Sequence, residues 1–508
     1  MSGVKTKCAP SLFHAAQWSD IDWHKCEQGV KKLQRRIVKA WQERRYGKVK
    51  YLQYLLTHSF EARALAVKRV TSNKGGKTAG VDKVRWFTPS SKVKAVVSLK
   101  KRGYRPKPLK RVFIEKSNGK KRPLGIPTMK DRAMQALYLM ALEPLAETTA
   151  DGNSYGFRRE RCAADAIDAL HRLLSTRFSP QWILEGDIKG CFDHISHEWL
   201  LNNIPTDREV LRKWLKCGVI YDKRLSPTEE GTPQGGIISP TLANMTLDGM
   251  ETLLKERYRK QYLSDGKVFN PKVHLIRYAD DFVVTAANRE ALEEIQILIT
   301  DFLRERGLSL SEEKTVITHI NDGFDFLGFN IRKYKGKLLI KPSRKGQKKL
   351  TERLHEVVFG NKAVSQDKLI VKLNPVLTGW GNYYKHVVAK KVFSRMDHIL
   401  SQQLIRWAFR RHHNKSKWWI IEKYFKTEGA KHWCFKTIIM EKGKKKAYTL
   451  RLLSDIPIVR HIKVKKDANP FDASWDTYFE HRHKMRLYGK RNSKRRDFSL
   501  ILAESVQM

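Results

Sequence analysis

Apolar residues recur every three or four positions over two stretches near the start of the chain. Leu33, Ile37, Val38 and Trp41 mark the first, and Leu52, Leu55, Leu56, Phe60, Ala64 and Val67 the second. This period predicts two helices within residues 18–70. Residues 111–114 read as a strand, S-N-G at 117–119 as a hairpin turn, and 120–126 as the returning strand. Helical spacing resumes over 131–146, with Ala133, Leu137, Met140, Ala141 and Leu142 toward a core. Residues 182–188 read as a mostly buried strand, and Ser196 is placed to cap a helix running through Ile204. Ser239 as N-cap and Pro240 behind it open a long helix with Leu242, Met245 and Leu253 on one face. Two strands, 274–278 and 282–285, flank Ala279, Asp280 and Asp281, a hairpin with carboxylates at its tip. Asn288 caps a further amphipathic helix, marked by Leu292, Ile295, Leu298, Ile299 and Phe302 and closed by Gly307. From residue 345 the helical period holds for about 85 residues.

The order strand, helix, helix, strand-hairpin-strand, helix predicts an α+β fold on a split βαβ sheet, followed by an all-helical region and a basic C-terminal region. At 508 residues the length suits about three domains. Charge changes the picture most. Lys and Arg total 100 against 52 Asp and Glu, a net charge of +48. That excess implies a polyanionic partner, most simply nucleic acid. Lys31, Arg35 and Arg36 crowd the first helix, and Arg410, Arg411 and Lys415 lie among Trp407, Trp418 and Trp419. Basic residues interleaved with aromatics suit phosphate contacts plus base stacking; the alternative is a solvated face over a tryptophan core. Residues 482–496 are a candidate nucleic-acid arm.

Other classes drop out. The longest strongly apolar run, 136–142, is far short of the roughly 20 residues a membrane helix needs. Residues 1–16 lack the continuous apolar stretch of a secretory signal. The six cysteines are scattered with no C-x-x-C pair, which argues against a disulfide framework and a cysteine-rich zinc site and fits a reducing compartment. N-K-G-G-K-T-A-G at 73–80 is glycine-rich but lacks the spacing and preceding strand of a nucleotide loop.

Three carboxylates carry the candidate chemistry: Asp187 at a strand end, and Asp280 with Asp281 at the hairpin tip. In a split βαβ sheet these ends lie side by side. Mg²⁺ prefers oxygen ligands, and a pair of such ions can activate a 3′-hydroxyl and stabilise leaving pyrophosphate. An isolated Asp-Asp pair is otherwise a polar turn.

Y-A-D-D at 278–281 resembles the Y-x-D-D motif of reverse transcriptases. D-I-K-G-C-F at 187–192 resembles their first palm motif, and T-P-Q-G-G-I-I-S-P at 232–240 their template and nucleotide loop. G-L-S-L at 307–310 with Lys314 and Thr315, then F-L-G-F at 326–329, resemble the last palm and primer-grip motifs, all in family order. The flanks narrow the resemblance to group II intron-encoded reverse transcriptase/maturases. These are K-T-A-G-V-D at 77–82, R-P-L-G-I-P at 122–127, S-Y-G-F-R at 154–158 and G-W-G-N-Y-Y at 379–384.

The resemblance implies a right-hand polymerase. Its parts would be an N-terminal extension (18–82), fingers and palm (83–345), a helical thumb or maturase domain (346–430) and a basic DNA-binding-like region (431–508). It implies that Asp187, Asp280 and Asp281 are catalytic and hold two Mg²⁺ ions, with Mn²⁺ an alternative and Ile188 adding a backbone carbonyl. Lys116 and Arg122 would grip the triphosphate, Phe192 exclude a 2′-hydroxyl, Gln234 shape the nucleotide pocket and Lys314 aid pyrophosphate departure. Lys31, Arg35, Arg36, Arg410, Arg411 and Lys415 would face RNA. Expected partners are group II intron RNA, a DNA target or primer and dNTPs, with no membrane and a homodimer left open. Expected localisation is the bacterial cytoplasm, in association with the nucleoid, with an organelle as the alternative. D-A-N-P-F-D at 467–472 and W-D-T-Y-F at 475–479 resemble the lead into the family's HNH endonuclease, whose Cys pairs are absent. The expectation is therefore a protein without zinc and without second-strand cleavage. Rival readings are a splicing chaperone that does not polymerise, and a domesticated or defence-associated reverse transcriptase.

Overall fold

Where the apolar period runs unbroken from Leu52 to Val67, the chain nevertheless turns a corner. The computed structural model describes residues 17–115, 119, 121–262, 268–429, 431–441 and 443–491. Within it the two helices expected over residues 18–70 are three: Trp23–Gln42, Tyr46–His58 and Phe60–Thr71. Ser59 separates the last two, its extended backbone ending one helix and its hydroxyl accepting from Ala62 N at 3.1 Å to cap the next. Apolar spacing continues across Ser59, so periodicity alone hides the break.

The chain divides into two compact units. Among the described residues, the first comprises those within 17–162, 184–317 and 464–479. Its centre is the helix Met129–Thr149, against which the three N-terminal helices pack, and which is buried on nearly every side. That burial extends to charged residues, each of which is satisfied. Asp131 accepts from Tyr104 Oη (2.7 Å) and Thr128 Oγ1 (2.6 Å). Arg132 donates to the carbonyls of Pro127 (3.1 Å), Gly75 (2.7 Å) and Thr78. The glycine-rich loop thus presents carbonyls to a cation, the reverse of a phosphate cradle.

The carboxylate sheet has four strands in the order Val316–His319, Trp182–Asp187, Asp281–Ala286, His274–Tyr278. The last two form the expected antiparallel hairpin, with Tyr278 opposite Asp281. The long helix expected from Ser239 is two helices, Ser239–Leu247 and Met250–Arg257, broken at Gly249 where φ is +99°. Its N-cap is Ile238, and the Ser239 hydroxyl is buried without a partner among the described residues. Asn288 does precede Arg289–Arg304, but its side chain makes no capping bond.

Residues 464–479 return to this first unit. Asp476 pairs with Arg35 and Lys31, Asp472 accepts from Gln42 Nε2 at 3.0 Å, and Asn469 Nδ2 donates to Thr148 Oγ1 at 3.0 Å.

Among the described residues, the second unit comprises those within 163–183, 318–463 and 480–491. An antiparallel sheet (Phe324–Phe326, Phe329–Tyr334, Lys337–Pro342) leads into helices Arg344–Phe359, Gln366–Tyr384, Lys390–Arg411 and Lys417–Tyr424. Tyr383 and Tyr384 donate to the carbonyls of Leu327 (2.8 Å) and Gly328 (3.0 Å), tying G-W-G-N-Y-Y to F-L-G-F. The helical period ends at Tyr424, short of the expected 430. A three-stranded sheet follows, Phe425–Glu428, Lys431–Glu441 and Lys444–Thr449. Phe435 is buried while Ile438 and Met440 are exposed, a weak alternation that the many lysines obscure. The proposed arm beyond Arg491 and the turn residues Ser117 and Asn118 lie outside the described residues.

The first unit also holds a buried charge cluster. Glu147 accepts from Arg158 at 2.6 and 2.9 Å and from Arg161 at 3.3 Å, and all three side chains are almost fully buried. Removing one partner of such a cluster strands the others. Glu147→Gln is therefore expected to lower the unfolding free energy by about 3–5 kcal/mol in urea titrations. A loss below about 1 kcal/mol would mean that carbonyl partners alone satisfy the two guanidiniums.

Candidate active site

The strand that ends at Asp187 continues into Ile188, which bridges Leu310. Ser311 N donates to Asp187 O at 2.8 Å and Lys189 N to Ser309 O at 2.9 Å. Ile188 is therefore the non-bonded member of this ladder, and its carbonyl points away from residue 310. The same pairing carries Lys314 to the site, where Nζ lies 2.6 Å from Asp187 Oδ2. Across the sheet Ala279 adopts a left-handed conformation, φ +59°, which lets Tyr278 and Asp281 pair directly and puts Asp280 at the tip.

The three carboxylates feel one another. Burial, then Asp280 and Asp187, push Asp281 up to about 7. Burial and Asp187 also raise Asp280. Lys314 is raised chiefly by its hydrogen bond to Asp187. A set of oxygen ligands with this much unrelieved negative charge fits a divalent cation.

The hairpin rests on residues that sequence reasoning missed. Arg277 is fully buried. It donates to Asn244 Oδ1 at 3.1 Å and Ala279 O at 3.3 Å, and it pairs with Asp248. Burial raises the Asp248 carboxyl, and the Arg277 guanidinium opposes that shift. Backbone bonds join the same strand to S-Y-G-F-R: Tyr155 N to Arg277 O at 2.9 Å and Arg277 N to Asn153 O at 3.0 Å. Gly156 then passes so close to the hairpin that a Cβ would lie 2.3 Å from Ala279 N. An arginine within the otherwise apolar 274–278 strand was the available signal, because a buried charge needs partners.

Four of the five expected nucleotide residues are described, and Lys116 lies outside the described residues. Gln234 Oε1 accepts from Arg122 Nε at 3.1 Å, and Gln234 Nε2 donates to Asp193 Oδ2 at 3.0 Å. Phe192 is half-buried, its carbonyl accepts from Thr232 N at 2.6 Å, and its ring meets Phe157 edge-on at 6.4 Å. Of the expected RNA contacts in the first unit, Arg36 is exposed while Lys31 and Arg35 pair with Asp476. In the second, Arg410 and Lys415 are exposed. Arg411 donates to the carbonyls of Lys362 (2.8 Å) and Val364 (2.9 Å) and stacks over Trp407.

A sheet ending in clustered carboxylates beside a lysine suits metal-assisted phosphoryl transfer. The reverse transcriptase (RNA-dependent DNA polymerase) family model matches residues 114–331, that of the N-terminal domain of reverse transcriptase 18–99, and that of the group II intron, maturase-specific domain 347–425. Protein YkfC of Escherichia coli is 33% identical over 347 residues, covering 61% of this chain and 88% of that protein. The group II intron-encoded protein LtrA of Lactococcus lactis is 30% identical over 375 residues, covering 60% of this chain and 62% of LtrA, somewhat under two thirds of its length. A telomerase structure from Candida albicans aligns over 63% of this chain and 64% of that one, at a TM-score of 0.34 and 13% identity, too distant to carry an argument. The chain belongs to the group II intron-encoded reverse transcriptase/maturases. It is an RNA-directed DNA polymerase joined to a maturase domain, of a family that uses divalent metal ions.

The close approach at Gly156 gives a direct test of the hairpin's placement. Gly156→Ala must displace the Tyr278–Asp281 turn. A shift of about 1 Å at reacting groups costs about a hundredfold in rate. Primer extension should fall on that scale while the circular dichroism spectrum is unchanged. Full activity would mean that the turn is not what sets the carboxylate geometry.

Proposed function

We propose that this protein binds its group II intron RNA, assists its splicing, and copies it into DNA from a DNA 3′-end during mobility. The observation that carries the polymerase chemistry is the convergence of Asp187, Asp280 and Asp281 beside Lys314. Two Mg²⁺ ions, or Mn²⁺, held there with the Ile188 carbonyl would supply the charge that activates a primer 3′-hydroxyl and stabilises leaving pyrophosphate. The protein's own side chains position the rest. Arg122 and Lys116 hold the triphosphate, and Gln234 borders the base and sugar. Phe192 stands where a ribose 2′-hydroxyl would clash. Lys314, already bonded to Asp187, delivers a proton to the departing pyrophosphate.

Labour divides along the chain in this reading. Residues 18–82 extend the polymerase, 83–345 form its fingers and palm, 346–430 its thumb and maturase domain, and 431–508 add a basic nucleic-acid-binding region. The charge of +48 supports polyanion binding throughout. Among the described residues no helix is long and apolar enough to cross a membrane.

Asp280→Asn replaces an anionic ligand with a neutral one, so it should abolish primer extension on an RNA template. Intron RNA affinity in filter binding should stay at the wild-type level. Extension at the wild-type rate would remove Asp280 from the chemistry.

The thumb residues separate by their bonding. Arg410→Ala with Lys415→Ala should weaken RNA binding and flatten its salt dependence, by about 0.7–0.9 in log–log slope for each phosphate left without its cation. Arg411→Ala should lower the thermal midpoint instead, because its guanidinium holds the 362–364 loop. An unchanged slope for the double variant would make Arg410 and Lys415 a solvated face.

A further inference from the structure

A glutamine amide is nearly isosteric about its long axis, so its NH₂ and C=O exchange places unless neighbours forbid it. At Gln234 two neighbours forbid it together. Nε2 donates to Asp193 Oδ2 at 3.0 Å, and Oε1 accepts from Arg122 Nε at 3.1 Å. An ionised carboxylate only accepts and a guanidinium only donates. Turning the amide over would set oxygen against carboxylate and NH₂ against guanidinium.

The backbone around this relay is pinned as well. Gly125 N donates to Gln234 O at 2.8 Å, and Asp193 N donates to Gly190 O at 2.7 Å. Gly231, at φ +81°, packs so near Asp193 that a Cβ would lie 2.4 Å from the Asp193 carbonyl oxygen. The relay also allocates the Arg122 donors. Its Nε is committed to Gln234, which leaves Nη1 and Nη2 for two phosphate oxygens, the paired geometry a guanidinium suits best.

We propose that Asp193 is a positioning residue for the incoming deoxynucleoside triphosphate. It fixes the orientation of the Gln234 amide and, through it, the presentation of the Arg122 guanidinium. The proposal rests on the reading of Gln234 and Arg122 as nucleotide contacts. In this reading Asp193 acts through Gln234 and Arg122, so its loss should change nucleotide affinity and not the chemical step.

Single-nucleotide incorporation by the full chain, on a fixed primer–template with Mg²⁺ and one dNTP, separates these effects. Hydrogen bonds to charged groups are worth enough for about a tenfold change. Asp193→Ala should raise KM for dNTP about tenfold and leave kcat within about twofold. Asp193→Asn should fall between wild type and the alanine variant, because an Asn oxygen can still accept from Gln234 Nε2 while its NH₂ no longer forbids the reversed amide. In a Gln234→Ala background, Asp193→Ala should add nothing further. If Asp193→Ala does not fold, Asp193→Ser, too short to reach Nε2, replaces it in every comparison. An unchanged KM in Asp193→Ala, an Asp193→Asn as impaired as the alanine variant, or fully multiplicative effects in the double variant would each overturn the proposal. If Gln234→Ala and Arg122→Ala themselves leave KM unmoved, the nucleotide-pocket reading fails and takes the proposal with it. If they raise KM but Asp193→Ala does not, only the positioning role is lost.

Discussion

Repulsion between Asp187, Asp280 and Asp281 is the constraint around which the first unit is arranged. Bringing three carboxylates to one partly buried corner raises the charging cost of Asp280 and Asp281, and burial with the neighbouring acids pushes Asp281 up to about 7. Local structure must therefore hold what electrostatics would push apart. Sheet pairing fixes Asp187 against the 309–311 segment, and the left-handed Ala279 fixes Asp280 over Asp281. Behind the hairpin, Arg277 spans from Ala279 O to Asn244 and Asp248, so the turn is braced from its own strand. Lys314 offsets part of the negative charge.

The same economy governs the positive charge. A chain of +48 invites the view that every arginine faces a polyanion. Many do not. Arg132, Arg158, Arg161 and Arg277 are all buried in the first unit, where each donates to carbonyls and three of them also pair with acids. Arg482 does the same in the second unit with Asp165 and Ile462 O. A guanidinium with five N–H groups ties several loop carbonyls at once, which suits a fold whose motifs lie on irregular segments. Surface and internal arginines thus serve different ends, and Arg35 and Arg411, half-buried and already bonded, sit nearer the internal kind.

Much of this arrangement was legible in the residue order. The 274–278 and 281–286 hairpin, the strand ending at Asp187 and the cap at Ser196 follow from local rules, and the ordered motifs identified the family. The Ser59 corner was not legible, because apolar spacing runs straight across it. Nor was the break at Asp248 and Gly249, where apolar spacing runs on while Asp248 is extended and Gly249 takes a positive φ. The 425–449 sheet was hidden because lysines occupy so many of its outward positions. Tertiary facts were out of reach for a different reason. Arg277, Asp193 and Gly156 act through partners distant in the chain, and no local pattern states those partners. The return of residues 464–479 to the N-terminal helices, through Asp472 and Asp476, is of the same kind.

We propose that Asp187, Asp280 and Asp281 form one cation site. Iron(II) bound in place of Mg²⁺ reduces added hydrogen peroxide to hydroxide and a hydroxyl radical, becoming iron(III); the radical cuts the backbone beside the metal, and the cut positions read out the site without any polymerase activity. Cleavage should fall at residues 186–189 and 279–282, fade as Mg²⁺ is added, and disappear in Asp280→Asn. Cleavage elsewhere in the chain, or an unchanged pattern in Asp280→Asn, would contradict the account.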